Sequence, residues 1–299
     1  MPILLNGLNG WVVGNDVYIF GGTGLALGDE GGWPNEIQHK ISFMATGSVL
    51  LDLGNGIGYY RATMEQMYFS GFEIYEGSNF SDRIFGGSDN DTIYGLDGAD
   101  FIATGDGENY VDGGDGVDTV TYFYAADGVT VDLAVAGEQY IGGGSSVWFD
   151  TLVSVENLVG SRYGDELSGD GGGNRLSGEA GGDVIDGRGG DDVIDGGQGA
   201  DELHGGEGAD RFVFEERDSG DVYLGAADVI RDFDGAEGDR IELADGLGHF
   251  VWDYSLYEDG RWVDAHVISW RLSDGWQDIV VVGSEDPGAY IETGWNVLI

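Results

Sequence analysis

Residues 178–213 read GEAGGDVID, GRGGDDVID, GGQGADELH and GGEGADRFV, four segments of nine residues that superimpose without a gap. Glycine opens each segment, Asp stands sixth (Asp183, Asp192, Asp201, Asp210) and an apolar residue stands eighth (Ile185, Ile194, Leu203, Phe212). A fixed short period marks a repeat architecture, in which each unit buries its apolar side against its neighbours. Upstream the same frame takes in GSRYGDELS (160–168) and GDGGGNRLS (169–177). It returns at 77–121 as GSNFSDRIF, GGSDNDTIY, GLDGADFIA, TGDGENYVD and GGDGVDTVT, which makes eleven copies in two blocks. In the added copies the sixth residue is Asp82, Asp91, Asp100, Asn109, Asp118, Asp165 or Asn174, and the eighth is Ile84, Ile93, Ile102, Val111, Val120, Leu167 or Leu176.

The register has a mechanical meaning. Six glycine-rich residues form a loop whose backbone needs positive φ, and three residues form a short strand whose middle side chain points inward. Two copies make one coil, and successive coils stack as parallel strands roughly 4.8 Å apart. The expected fold is therefore all-β: a parallel β-roll, or right-handed β-helix, in two blocks with a β-strand spacer and a C-terminal β cap. Stacking places Asp82, Asp100 and Asp118 in one column and Asp91 and Asn109 in the opposite one.

Bare carboxylates at that spacing repel one another, and the glycine loops carry a large entropy cost, so a hard cation must sit between the loops. Calcium suits the donors: it accepts about six to eight oxygens, including carboxylates and main-chain carbonyls. Magnesium demands tighter octahedral geometry and keeps its waters, while zinc favours Cys and His. The candidate ligands are the eleven sixth-position residues already named, with the loop backbone at Gly86, Gly87, Gly95, Gly113, Gly114, Gly187, Gly189, Gly196, Gly197, Gly205 and Gly206.

Composition excludes several functions. With 12 Lys and Arg against 56 Asp and Glu, a net charge of -44 repels nucleic acid and anionic membranes. Yet 41% of the 299 residues are hydrophobic and 12% aromatic, enough for a core. There is no Cys, hence no disulfide or thiolate chemistry. No run of about 18 apolar residues offers a membrane span. His39, His204, His249 and His266 form no His-x-x-x-His pair, and no Gly-x-Ser-x-Gly elbow occurs, so no catalytic motif is found. The 58 glycines are explained by the roll.

The register Gly-Gly-x-Gly-x-Asp-x-apolar-x resembles the RTX calcium-binding nonapeptide repeat of type I secreted proteins, such as serralysin C-terminal domains and alginate epimerase R-modules. Copies starting at 86, 113, 196 and 205 match best, whereas Phe80 replaces a loop glycine and Asn109 and Asn174 replace Asp. In that family each ion is shared by loops one coil apart. The resemblance thus implies three sites in the first block and four in the second, about seven calcium ions. With a dissociation constant on the order of 10⁻⁴ M, about 10 mM calcium would add roughly 2.7 kcal/mol per site, so folding should be calcium-gated.

A longer repeat is superimposed, since Leu51-Asp52-Leu53 returns as Val131-Asp132-Leu133 and Gly77-Ser78 with Asp82 returns as Gly160-Ser161 with Asp165. The chain accordingly divides into an N-terminal cap with a degenerate repeat (1–40), a strand spacer (41–76), a first roll (77–121), a second spacer (122–159), a second roll (160–213), a roll cap (214–247) and a secretion-signal region (248–299). Within the cap, Gly21–Ala26 echoes a loop but lacks its Asp. The stretch Asp228–Leu243 resembles the segment that closes the last roll in serralysin-type proteases. Beyond it, alternation through Phe250, Trp252, Tyr254 and Leu256, then Trp262, His266, Ile268 and Trp270, reads as strands. The five tryptophans Trp252, Trp262, Trp270, Trp276 and Trp295 are expected in a packed core, with sugar stacking the alternative.

Met1–Gly10 has no basic n-region, and Asn296–Ile299 is similar to the uncleaved C-terminal signals of the family. Together they imply a secreted, extracellular bacterial protein without an N-terminal signal peptide, whose partners are calcium and the type I secretion machinery. The expected activity is binding and structural, not enzymatic. The alternatives are an accessory module of a secreted enzyme, such as an alginate epimerase or a serralysin-type protease, and an adhesin for polysaccharide or a cell surface. A pore-forming toxin would need an amphipathic helical region and acylatable lysines, and Lys40 is the only Lys.

Overall fold

A computed structural model describes residues 8–13, 16–22, 25–27, 40–43, 47–61, 65–69, 72–142, 148–215, 227–243, 249–258, 261–271, 276–282 and 291–293. They form strands, turns and bends, without helix, and two compact units: Met1–Tyr124 with Val135–Asn157, and Ala125–Ala134 with Leu158–Ile299. Among the described residues no helix is long and apolar enough to cross a membrane.

In the first unit one face runs in parallel through Lys40–Ser42, Ile74–Glu76, Thr92–Gly98, Glu108–Gly116 and Trp148–Val153. The other runs through Val49–Asp52, Arg83–Phe85, Phe101–Ala103 and Thr119–Thr121. The register follows the nonapeptide, Ile93 pairing with Val111 and Ile84 with Ile102 and then Val120. Each of these eighth-position side chains is fully buried, and burying a Val, Leu or Ile contributes roughly 1.5–3 kcal/mol. The core is therefore a ladder of apolar side chains threaded between the two faces. Within the first spacer, Val49–Asp52, Ile57–Tyr60 and Glu65–Phe69 fold back antiparallel, the first pairing in parallel with Arg83–Phe85 and the last in parallel with Leu25–Leu27.

In the second unit one face is Thr130–Asp132, Glu166–Ser168, Val184–Asp186, Glu202–His204, Asp228–Ile230 and Trp276–Val282. The other includes Arg175–Ser177, Val193–Asp195, Arg211–Phe214, Arg240–Leu243 and Ile291–Thr293. The second spacer is divided: Thr130–Asp132 joins the second unit, while Gln139–Gly142 and Trp148–Val153 pair antiparallel in the first.

The segment 214–247, expected as a cap, instead supplies a further coil, because Asp228–Ile230 and Arg240–Leu243 extend both faces in parallel. Closure comes later, where Arg261–Arg271 turns antiparallel onto Trp276–Val282 and is followed by His249–Glu258. Ala227, Ala265, Val267 and Val280 form a buried cluster there. Of the stretch Gly21–Ala26, expected as a loop, Gly21 and Gly22 end the strand Asp16–Gly22, and Leu25 and Ala26 begin the strand Leu25–Leu27. Residues 23–24, the side chains of the five C-terminal tryptophans and the terminal Asn296–Ile299 lie outside the described residues.

Candidate metal centre

The sixth-position residues form four ladders along the edges of the coils. In the first unit the main-chain N–H of Asp82 donates to Oδ1 of Asp100 (2.8 Å), that of Asp100 to Asp118 (2.7 Å) and that of Asp118 to Glu156 Oε2 (2.8 Å). On its other edge Asp91 donates to Asn109 (3.0 Å) and Asn109 to Asp150 (3.2 Å). In the second unit Asp165 leads to Asp183 (2.8 Å), Asp201 (2.9 Å) and Asp228 (2.9 Å). Its other edge runs from Asn174 to Asp192 (2.7 Å), Asp210 (2.9 Å) and Asp239 (3.0 Å). One carboxylate oxygen thus satisfies the backbone of the preceding coil, an obligatory need once that backbone is buried.

The second oxygen decides the chemistry. Oδ2 of Asp100, Asp118, Asp183, Asp192 and Asp210 is buried and accepts no hydrogen bond. Leaving a buried carboxylate oxygen unmet is costly, so each implies a partner of another kind. A Cβ placed on Gly178 or Gly187 would strike the Oδ2 of Asp183 or Asp192 and the carbonyl oxygen of Gly196 or Gly205 one coil on, 2.6 Å away. Around Gly95 the same collision involves Asp100 and the Gly113 carbonyl. Each recess is therefore lined by a carboxylate and main-chain carbonyls, the hard oxygen donors that calcium takes. No group of three or more His, Cys, Asp or Glu side chains that could hold a metal converges among the described residues. Carbonyls must then supply most of the ligands, which disfavours zinc.

The loops are held open by conformation. Gly105, Gly114, Gly197 and Gly206, second in their copies, have φ of 78°, 101°, 82° and 96°. Leu96, Glu179 and Arg188 adopt the same left-handed conformation at φ of 80°, 73° and 71° without being glycine, at some steric cost. At Arg188 a compensation is visible, a bidentate pair with Asp132 at 2.7 and 2.6 Å.

Electrostatics agree with the demand for a cation. Burial, with Asp201 and Asp165 nearby, pushes the Asp183 carboxyl up to about 8. Burial chiefly raises Asp100 and Asp192 to about 7, with help from the neighbouring ladder carboxylates, and Asp118 and Asp210 to about 6.

The ladder starts are different. Asp82 Oδ2 accepts the Ser78 N–H at 2.5 Å and its Oδ1 accepts the Ser78 hydroxyl at 2.8 Å. Asp165 and Ser161 repeat both bonds at the same distances. Asp91 Oδ2 accepts from Gly87 N–H (3.2 Å) and Asn174 Oδ1 from Asp170 N–H (2.9 Å). Among the glycine candidates, Gly95, Gly113, Gly187, Gly196 and Gly205 lie against their own Asp, whereas Gly114, Gly197 and Gly206 lie against main-chain carbonyls of the preceding coil. Gly86 abuts the Thr104 carbonyl, Gly87 the Gly54 backbone, and Gly189 bridges to Glu207, so these three are not brought to an orphaned carboxylate.

Four ladder residues, Asp150, Glu156, Asp228 and Asp239, lie outside the nonapeptide frame. Their signal is an acidic residue two before an inward apolar one: Leu152, Leu158, Ile230 and Ile241 are all buried.

Residues 69–102, 76–111, 85–120, 155–185 and 177–212 match the family described as RTX calcium-binding nonapeptide repeat (4 copies). The chain is similar to the solution structure of the AlgE6R3 subunit of the Azotobacter vinelandii mannuronan C5-epimerase, at 32% identity, covering 45% of this chain and 80% of that one, TM-score 0.36. The AlgE6R2 subunit of the same enzyme gives 29% identity, 48% and 95% coverage and TM-score 0.36. The extracellular lipase LipA of Serratia marcescens gives 16% identity, 87% and 44% coverage and TM-score 0.29. No curated protein matches the chain.

Proposed function

As a member of the RTX calcium-binding nonapeptide-repeat family, this chain is a calcium-binding β-roll module, and we propose that it folds on meeting extracellular calcium after type I export from a bacterium. The observation that carries this reading is the set of buried, unmet Oδ2 atoms on Asp100, Asp118, Asp183, Asp192 and Asp210. Those residues, with Asp201 in the same ladder and the loop carbonyls around Gly95, Gly113, Gly187, Gly196 and Gly205, would hold the ions. Pairing each loop with the loop one coil on gives about seven calcium ions. When bound, calcium supplies positive charge between carboxylates that would otherwise repel.

At sub-micromolar calcium the buried carboxylates are uncompensated, and with a net charge of -44 the chain stays expanded for passage through a secretion channel. Its activity is binding and structural, not catalytic. Circular dichroism with a calcium titration against EGTA tests the reading. The expected result is strand signal that appears cooperatively near millimolar calcium with several ions bound per chain; a chain equally folded in chelator overturns it.

A further inference from the structure

One edge of the first unit is built differently from the other three. Copy 104 departs from the repeat twice, with Thr104 where glycine opens the others and Asn109 where Asp ligates. Both departures point at one atom group. Asn109 donates to Asp150 Oδ1 from its side-chain amide (3.0 Å) as well as from its backbone (3.2 Å), and the Tyr122 hydroxyl donates to Asp150 Oδ2 at 2.9 Å. The Thr104 side chain lies beside the same carboxylate, its hydroxyl donating to the Gly105 carbonyl at 3.5 Å. Thr104, Asn109, Tyr122 and Asp150 are all at least 95% buried.

The contrast with the neighbouring ladders is chemical. In copies 95, 178 and 187 the missing Cβ of the first glycine leaves an oxygen-lined recess beside an unmet Oδ2. In copy 104 a side chain starts from that place, and both oxygens of the Asp150 carboxylate are already met by protein donors. An amide N–H and a hydroxyl facing a carboxylate do the work of a cation, and an amide nitrogen cannot ligate one.

We propose that the edge carrying Asp91, Asn109 and Asp150 takes no calcium, the hydrogen bonds from Asn109 and Tyr122 standing in for the ion. This rests on the calcium reading of the other ladders and refines it: the pair formed by copies 86 and 104 drops out, leaving about six of the seven pairs. The first unit is thereby one-sided, with ions confined to the edge of Asp100 and Asp118.

Counting bound calcium by native mass spectrometry on the full chain at saturating calcium tests the proposal. Asn109→Ala is expected to bind as many ions as the parent, while Asp192→Asn binds one fewer. If Asn109→Ala loses an ion, the proposal is overturned; if Asp192→Asn loses none, the calcium reading itself is what fails. Should Asn109→Ala not fold, the paired change Thr104→Gly with Asn109→Asp restores the repeat consensus and is expected to gain one ion. An unchanged count in that variant also overturns the proposal.

Discussion

The main-chain N–H of Asp183 donates to Oδ1 of Asp201, eighteen residues later, at 2.9 Å. The same bond joins Asn174 to Asp192 at 2.7 Å, and there the other oxygen is buried and unmet. One half of the side chain is therefore structural and the other half is free for an ion. Asp192→Asn separates them, because its amide oxygen can still accept from Asn174. In saturating calcium the variant is expected to lose one ion and roughly 2.7 kcal/mol, the value of one site at about a hundred times its dissociation constant. Without calcium it should show at least as much strand signal as the parent. Calorimetric unfolding in calcium and circular dichroism in chelator check this, and a variant as stable as the parent in calcium would contradict it.

The raised carboxyls set a pH dependence. Asp183 is raised to about 8 and Asp100 and Asp192 to about 7, chiefly by burial, so the folded chain holds protons that the unfolded chain releases near pH 4. Between those values the folded state binds more protons, and the stability of the calcium-free roll must fall as pH rises. Circular dichroism in chelator at several pH values between about 5 and 8 should show the residual strand signal shrinking as pH rises. Calcium should remove the trend, since ions bind the deprotonated form that the unfolded chain also carries at these pH values. A strand signal in chelator that grows with pH would rule the idea out.

Serine donates to the first carboxylate of two ladders. Ser161→Ala removes the hydroxyl bond to Asp165 (2.8 Å), and Ser78→Ala removes its counterpart on Asp82. Each should cost about 1–3 kcal/mol. The loss should be the same at every calcium concentration that supports folding, with the ion count unchanged. A lowered ion count would show that these hydroxyls belong to an ion site instead.

The recesses require glycine for a spatial reason. Gly187→Ala drives a methyl group against Asp192 Oδ2 and, at 2.6 Å, the Gly205 carbonyl. It should destabilise by about 1–3 kcal/mol and abolish one site. Gly171, with nothing within 4 Å of a Cβ, is the matched control and should tolerate Ala. Calcium stoichiometry and urea midpoints of the two variants provide the comparison.

The nonapeptide register was legible because each coil of eighteen residues repeats the same geometric problem, so Asp100 above Asp118 and Ile102 above Val120 follow from counting alone. Counting stops at an insertion. Asp150 and Asp239 meet their ladder partners 41 and 29 residues away, so only the acidic-x-apolar signature could reveal them. The 228–243 coil resembles a cap in the sequence for the same reason. Ser78 and Ser161 stood in the longer repeat, but their bonds to Asp82 and Asp165 depend on loop closure, which no periodicity states. Asn109 looks like a weakened ligand in isolation; its meaning comes from Tyr122 and Asp150, residues that only the fold brings beside it.

Anomalous diffraction at long wavelength from crystals grown in calcium tests the central claim most directly. The expected map has calcium peaks within bonding distance of Oδ2 of Asp100, Asp118, Asp183, Asp192 and Asp210, the atoms that find no partner within the protein. A map without peaks at those oxygens, in protein that is folded and saturated with calcium, would contradict it.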